Sequence, residues 1–419
     1  MNKEENLSQK ASTKVINTRF QKKDVHGAIA MPIYKNAAFE FDNAETMASA
    51  FQYTDETPYH TYSRITNPTV ENLERKIKSA TGAENVAVTA SGMAAIANTF
   101  LAIAYSGSNI ITSPHLFGNT FSLFKVTLAE FGVETRFVNT NNMEEISNAI
   151  DENTCAFFCE LITNPHMEIA NIPAISKIVR RQNIPLIVDT TIVPWCAFKA
   201  KSSGVDIEIV STTKYVSGGA TSVGGAIIDY GTFSGEQNKR LSNIVPTSGM
   251  SSFMFKLKRE ILRNMGAAMD ADAAYMQSLG METLEVRYQK MSDSAFELAK
   301  YLEAHPLIQK VNYPKLEGSP YKELSDNLFT GNPGAMLTFN LKTKEDCFRF
   351  MNRLQIIRRA TNLFDNKSLI IHPESTIYGS FSPSMKSFMG IEDNLLRLSV
   401  GLEDVSDLEK DIVQSLASL

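Results

Sequence analysis

The chain has 419 residues, 43% of them hydrophobic and 21% charged, with 41 Lys+Arg against 46 Asp+Glu and a net charge of −5. That is an ordinary globular composition, long enough for two or three domains at roughly 150 residues each, and it excludes a disordered, collagenous or disulfide-framed chain. The slightly acidic balance, without a long Lys/Arg run, argues against nucleic acid or an anionic membrane as the partner.

Residues 1–64 read as an extended arm, because Pro32, Pro58 and the cluster 54–57 break any long helical period. Its aromatics Phe39, Phe41, Phe51, Tyr53, Tyr59 and Tyr62 would be poorly covered by their own chain and are expected to pack on a neighbouring subunit. Met1 to Lys23 is polar throughout and lacks the apolar core of a secretory signal. From 65 to 260, short β-branched runs at 85–89, 109–112, 135–138, 155–159, 185–189, 207–211 and 225–229 alternate with helical stretches at 118–131 and 173–182. The runs are near-continuously apolar, as expected of strands covered on both faces, so this part predicts a mostly parallel α/β sheet. The stretch 94–105 is apolar but interrupted by Asn98 and Thr99, well short of the roughly 20 residues that span a bilayer. Residues 261–419 predict a smaller α+β domain. One long helix over about 254–302 leads into it, followed by a strand at 334–340, a helix at 344–354, a strand at 394–402 and a last helix.

The chemistry concentrates at the carboxyl ends of the predicted strands. Lys214 closes the run Ser211-Thr-Thr-Lys214 and enters the glycine-rich segment 217–225. A desolvated lysine there loses proton affinity and becomes a nucleophile, as Schiff-base lysines do; the plainer reading is a lysine reaching for solvent. Asp189 ends another apolar run, which places both side chains at the edge where open α/β sheets bind ligands. A carboxylate there can hold a protonated pyridine nitrogen, the partner that pyridoxal phosphate (PLP) requires; alone, it would equally be a helix-capping Asp. Ser91-Gly92 passes from a strand into a helix whose first N–H groups form an anion site, and Ser211 and Thr213 could add hydroxyl donors. The plainer alternative is a Ser N-cap. Gly219 and Gly224 have P-loop spacing, but Gly225-Ala226 stand where Lys-Ser/Thr belong, and no G-x-G-x-x-G opens a helix.

Seven ordered motifs then carry a resemblance: Tyr62-Ser-Arg64 with Asn67-Pro-Thr69, Ser91-Gly-Met93, Asn164-Pro165, Val188-Asp189, Ser211-x-Thr-Lys-Tyr215 and Arg397-Leu-Ser-Val-Gly-Leu-Glu403. Through nearly its whole length the sequence resembles the Cys/Met-metabolism PLP enzymes, which include cystathionine synthases and lyases, methionine γ-lyase and acylhomoserine sulfhydrylases. The resemblance implies the aspartate-aminotransferase-like fold (fold type I) and PLP as cofactor. It implies that Lys214 holds PLP covalently and serves as the principal acid/base, with Asp189 on the ring nitrogen. Ser91, Gly92, Met93, Ser211 and Thr213 match the phosphate site, and Tyr62 and Arg64 match residues that reach it from the neighbouring subunit. Arg397 matches the arginine on the substrate carboxylate, and Asn362 falls among the substrate-binding positions. A homo-oligomer follows, a homotetramer of tight dimers, in the cytoplasm.

Within the family the departures are informative. Many members carry a Tyr that stacks on PLP and can protonate the leaving group, where this chain has Phe117. A thiolate leaving group, near pKa ~8.5, gains much from protonation, whereas a carboxylate near ~4 gains little, so Phe117 favours an acylated homoserine. The segment 362–373 lies closer to the sulfhydrylase pattern than to the lyase one, although Phe364 replaces the usual glycine and Thr376-Ile-Tyr378 replaces a more usual Thr-Thr-His. Asn119 stands where methionine γ-lyases commonly have Cys. The expected reaction is γ-replacement on O-acetylhomoserine by sulfide or a small thiol, with methionine or cystathionine γ-lyase as the alternative. A catalytically silent PLP-fold binding protein is the alternative from another class, against which the joint presence of Lys214, Asp189 and Arg397 argues.

His26, His60, His115, His166 and His305 show no metal-ligand spacing, so no metal site is expected, and His372 reads as a structural loop histidine. Cys155, Cys159, Cys196 and Cys347 contain no C-x-x-C pair and fit a reducing cytosol; the first two alternate with strand period and read as core.

Overall fold

The computed structural model describes residues 9–20, 24–52, 59–246, 249–417 and 419; Tyr53, the 54–57 cluster and Pro58 lie outside them. Among the described residues the central feature is a seven-stranded sheet of β1 (Asn85–Thr89), β2 (Asn109–Thr112), β3 (Glu134–Phe137), β4 (Thr154–Glu160), β5 (Leu186–Asp189), β6 (Ile207–Val210) and β7 (Gly225–Asp229). Their spatial order is β1-β7-β6-β5-β4-β2-β3. The pairs from β6 to β3 are parallel, and β7 runs antiparallel between β1 and β6. The sheet is therefore mostly parallel, as the continuous apolar runs require. Leu186 and Val188 bury into one face and Ile187 into the other, the period-2 alternation of a strand covered twice. Each such side chain contributes about 2 kcal/mol through burial. Edge strand β3 is only partly buried.

A second sheet holds β8 (Lys310–Asn312), β9 (Met336–Asn340), β10 (Arg358–Arg359), β11 (Leu369–Ile371) and β12 (Leu395–Ser399), in the order β10-β11-β12-β9-β8. Its inner residues Leu337, Phe339, Leu396 and Leu398 belong to the same apolar cluster as Val188 and Trp195 of the first unit. The second sheet is thus fastened to the face of the first by shared core.

Two expectations need correcting. The arm is not extended throughout: α1 (Ala11–Ile16) and α2 (Ala44–Gln52) are helical, and Asn43 starts the second by accepting the Thr46 N–H at 2.8 Å. The single helix over 254–302 is also broken. A helical run from Ser252 to Met265, with a π-helical middle at Leu257–Leu262, ends at Gly266 in the left-handed region (φ 73). Asp270 then caps a new helix, Ala271–Glu282, and Thr283 separates it from Leu284–Glu303. Apolar spacing runs on through these caps, which is why periodicity alone merges the three pieces.

Two further helices frame the site. α3 (Pro68–Thr81) is capped by the Asn67 side chain and closed by left-handed Gly82. α4 (Gly92–Ile103) starts where β1 ends, and Ser91 Oγ accepts the Ala94 N–H at 3.0 Å. No helix among the described residues is long and apolar enough to cross a membrane.

Candidate active site

Strands β4, β5 and β6 deliver Glu160, Asp189 and the Ser211–Lys214 turn to one edge of the sheet, with Glu160 and Asp189 paired in register. Thr191 ties the edge together: its N–H donates to Asp189 Oδ1 at 2.9 Å, and its hydroxyl accepts the Ser211 N–H at 2.8 Å. Lys214 Nζ donates to Asn362 Oδ1 at 2.7 Å. Burial, then the nearby Arg397 cation, push the Lys214 amine down to about 8, against the opposing pull of Asp189. Burial raises Asp189 above the usual carboxylate range, with Thr191 and Lys214 opposing.

Behind the lysine the backbone is packed without spare room. The turn Tyr215–Ser217 rests on the helix Ala271–Glu282, where Gly218 meets Gly280; a Cβ on Gly280 would stand 2.2 Å from the Val216 carbonyl oxygen. Tyr215 stacks on Phe364 with centroids 4.2 Å apart, and its hydroxyl accepts the Ala335 N–H at 2.9 Å. Phe364 adopts a left-handed φ of 55, the conformation expected where the family usually has glycine. Its buried ring offsets that cost.

Arg397, on β12, is 2% exposed, and no carboxylate is among its bonded partners. It donates to Asn164 Oδ1 at 3.2 Å and to the carbonyls of Thr361 and Asn362 at 3.3 and 3.4 Å, while its Nε is buried without a partner. Burial lowers it to about 10, so it stays charged at neutral pH. A buried guanidinium held only by neutral oxygens, with one N–H left over, suits an incoming carboxylate.

The candidate anion site is equally specific. The N–H groups of Gly92 and Met93, in the first turn of α4, have no intrahelical partner. A Cβ on Gly92 would lie 2.8 Å from Ser211 Cβ, so only glycine lets this turn and the Ser211 loop approach so closely. The Thr120 hydroxyl lies 3.7 Å from Met93 Sδ. Thr213 is placed differently from a free phosphate donor: its hydroxyl donates to the Gly224 carbonyl at 3.1 Å and accepts the Gly224 N–H at 3.0 Å. Its proton reaches a phosphate only by leaving that bond. The orphan Arg397 Nε, the glycine-only gap at Gly92 and the low-pKa lysine beside Asp189 together fit a PLP-type cofactor with an amino acid.

Lys214, Asp189, Asn362 and Arg397 come together in one chain; Tyr62 and Arg64 do not join them. Tyr62 is exposed, with the Arg64 guanidinium 5.5 Å from its ring centroid, and Arg64 donates to the Arg263 carbonyl. Arg64 lines a cavity of about 680 Å³ with Tyr59, His60, Arg263 and Met269, and none of Lys214, Asp189 or Arg397 lines it. Phe117 is half-buried, and its N–H donates to Glu160 Oε1 at 2.6 Å. Sequence reasoning missed Glu160 and gave Asn164 and Tyr378 no role. The signal for Glu160 was there: it ends β4 as Asp189 ends β5. His372 is buried and bonds the Ser375 hydroxyl in its own turn and the Asp393 carbonyl 21 residues on.

Residues 12–417 match the model of the Cys/Met metabolism PLP-dependent enzymes. O-acetyl-L-homoserine sulfhydrylase of Corynebacterium glutamicum is 32% identical, covering 93% of this chain and 92% of that protein. L-methionine gamma-lyase of Fusobacterium nucleatum is 33% identical, covering 95% of each. A crystal structure from Campylobacter jejuni containing N'-pyridoxyl-lysine-5'-monophosphate superposes with a TM-score of 0.91 at 33% identity, covering 98% of this chain and 100% of that one. O-acetylhomoserine sulfhydrylase of Wolinella succinogenes is 41% identical, with a TM-score of 0.75 over 84% of this chain and 97% of that one.

Proposed function

Because the chain belongs to the Cys/Met metabolism PLP-dependent enzyme family, we propose that it catalyses γ-replacement on O-acetylhomoserine, joining sulfide or a small thiol with release of acetate to give homocysteine or methionine. The observation that carries this choice is Phe117, which offers a ring and no proton at the site; the sulfhydrylase names of close relatives support it.

PLP, when bound, supplies the electron sink that lets a proton leave the substrate Cα. Lys214 would hold the cofactor and Asp189 its ring nitrogen; Ser91, Gly92, Met93, Ser211 and Thr213 would hold its phosphate. Arg397 binds the amino-acid carboxylate and so fixes which Cα–H faces Lys214. The Lys214 amine, its proton affinity lowered by burial and Arg397, takes the Cα proton, and it hands that proton on before it takes one from Cβ. Asn362 steadies that amine between transfers. Acetate, the conjugate base of an acid near pKa ~4, leaves without a proton donor, so the missing hydroxyl at Phe117 is no handicap. Tyr62 and Arg64 serve the phosphate of a second copy, in a homotetramer of tight dimers. The exposure of Tyr62 and the separate cavity at Arg64 support this arrangement. Residues 1–64 form the arm to that copy, 65–260 the PLP-binding unit and 261–419 the smaller unit. Four free cysteines support a cytoplasmic site of action.

A second reading, methionine or cystathionine γ-lyase, is favoured by the likeness to L-methionine gamma-lyase. Steady-state rates with O-acetylhomoserine, O-succinylhomoserine, methionine and cystathionine separate the two. The expected result is fastest thiol transfer to O-acetylhomoserine; faster 2-oxobutanoate release from methionine overturns the proposal.

A further inference from the structure

Tyr378 comes from the second unit, yet its hydroxyl bonds carbonyls of the first: Asn164 at 3.0 Å and Leu116 at 3.3 Å. Glu160 meets the same two places from the other side, accepting the Phe117 N–H at 2.6 Å on Oε1 and the Asn164 N–H at 3.2 Å on Oε2. The Leu116 carbonyl and the Phe117 N–H belong to one peptide group. That peptide is gripped at both ends, its oxygen by Tyr378 and its nitrogen by Glu160. Asn164 is held on both sides of its Cα, its N–H by Glu160 and its carbonyl by Tyr378, and its side chain accepts from Arg397.

We propose that Glu160 and Tyr378 form a brace that positions the Phe117 ring and the Arg397 guanidinium relative to each other, so that ring and carboxylate contacts act on the same bound amino acid. Both are positioning residues; the inference rests on the substrate reading above. Tyr378 is fully buried and Glu160 is 7% exposed, so neither can exchange these bonds for water. Packing supports a built seat. A Cβ on Gly118 would lie 3.3 Å from the Ile377 carbonyl oxygen and 3.4 Å from Tyr378 Cε1, so the missing side chain next to Phe117 leaves room for the Tyr378 turn. The turn is held from its own side by the Thr376 hydroxyl on the His372 carbonyl at 2.7 Å and the Tyr378 N–H on the Pro373 carbonyl at 3.1 Å. A tyrosine present only to fill space would need no hydroxyl. Here one proton is shared between two buried carbonyls that phenylalanine would leave unsatisfied.

The test compares Tyr378→Phe with Tyr313→Phe in the holoenzyme. Tyr313 is also buried with its hydroxyl between two carbonyls, those of Gly334 and Ser292, which makes it a matched control for loss of stability alone. Tyr378→Phe is expected to raise KM for the amino-acid substrate about tenfold, with a smaller change in kcat, whereas Tyr313→Phe leaves KM within twofold. Amide exchange at Phe117, read by mass spectrometry on cofactor-free protein, should quicken about tenfold in Tyr378→Phe and not in Tyr313→Phe. Glu160→Gln should likewise raise KM and quicken exchange at Phe117, and adding Tyr378→Phe to it should cost less than the product of the single effects. A KM in Tyr378→Phe within twofold of wild type, or an equal rise in Tyr313→Phe, overturns the brace. Wild-type protein without turnover on any of the four substrates overturns the functional reading instead, and exchange at Phe117 then still decides whether the brace exists.

Discussion

The crevice at Lys214 and the arm at Arg64 place cations in opposite ways. In the crevice Lys214 and Arg397 lie inside the protein, held by neutral oxygens, and Asp189 is the carboxylate whose charge bears on the lysine. At the arm Arg64 lies exposed at the surface, against a backbone carbonyl. A cation kept in low dielectric without a full counter-charge is costly, so its retention points to a ligand that supplies the anion. A cation left at the surface costs little and can be shared with a neighbour. The first region is assembled from one chain; the use proposed for the second lies across a subunit boundary.

Breaking the crevice should have the largest effect. Lys214→Ala is expected to lower kcat by about a thousandfold and to abolish the visible absorbance of bound cofactor, measured by single-turnover kinetics and spectrophotometry. Arg397→Lys keeps the charge but loses the planar fork; KM for the amino acid should rise about thirtyfold with kcat less affected, read from initial rates. At the arm, Arg64→Ala should weaken cofactor binding only about tenfold by equilibrium dialysis. Mixing unfolded Arg64→Ala and Lys214→Ala chains before refolding should then recover part of the activity, because one shared site regains both residues; no recovery would confine Arg64 to its own chain. The last effect is one of pH. With the amine near 8 instead of 10.5, about a tenth of Lys214 is unprotonated at pH 7, against about three parts in ten thousand for an ordinary lysine. Protonation blocks attachment, so cofactor uptake by the cofactor-free protein should rise about tenfold per unit below pH 8 and level off above it, followed by stopped-flow absorbance.

The sheet was legible because burial on both faces leaves strands without polar interruption, and the carboxyl-terminal residues Asp189 and Lys214 stand out against such runs. Asn362 was placed by family likeness, and the structure sets it on Lys214. What stayed hidden depended on long-range geometry. Tyr378 reaches Asn164 and Leu116 across 214 and 262 residues, distances over which no spacing rule operates. The breaks inside 254–302 hid because Gly266, Asp270 and Thr283 are ordinary residues until their backbone angles are known. Thr213 matches a motif by type, while its hydroxyl is occupied by Gly224 across the glycine-rich loop, a choice set by local turn geometry.

The contact of Gly218 with Gly280 sets a limit on how this scaffold can be altered. Main chain touches main chain directly beneath the segment that bears Lys214, so a single added methyl at either position has nowhere to go except into the fold of that segment. Efforts to stiffen the helix Ala271–Glu282 by swapping its glycine for alanine, ordinarily a gain of about 1 kcal/mol, would here trade thermal robustness against the placement of Lys214, two to four residues away from the points of collision.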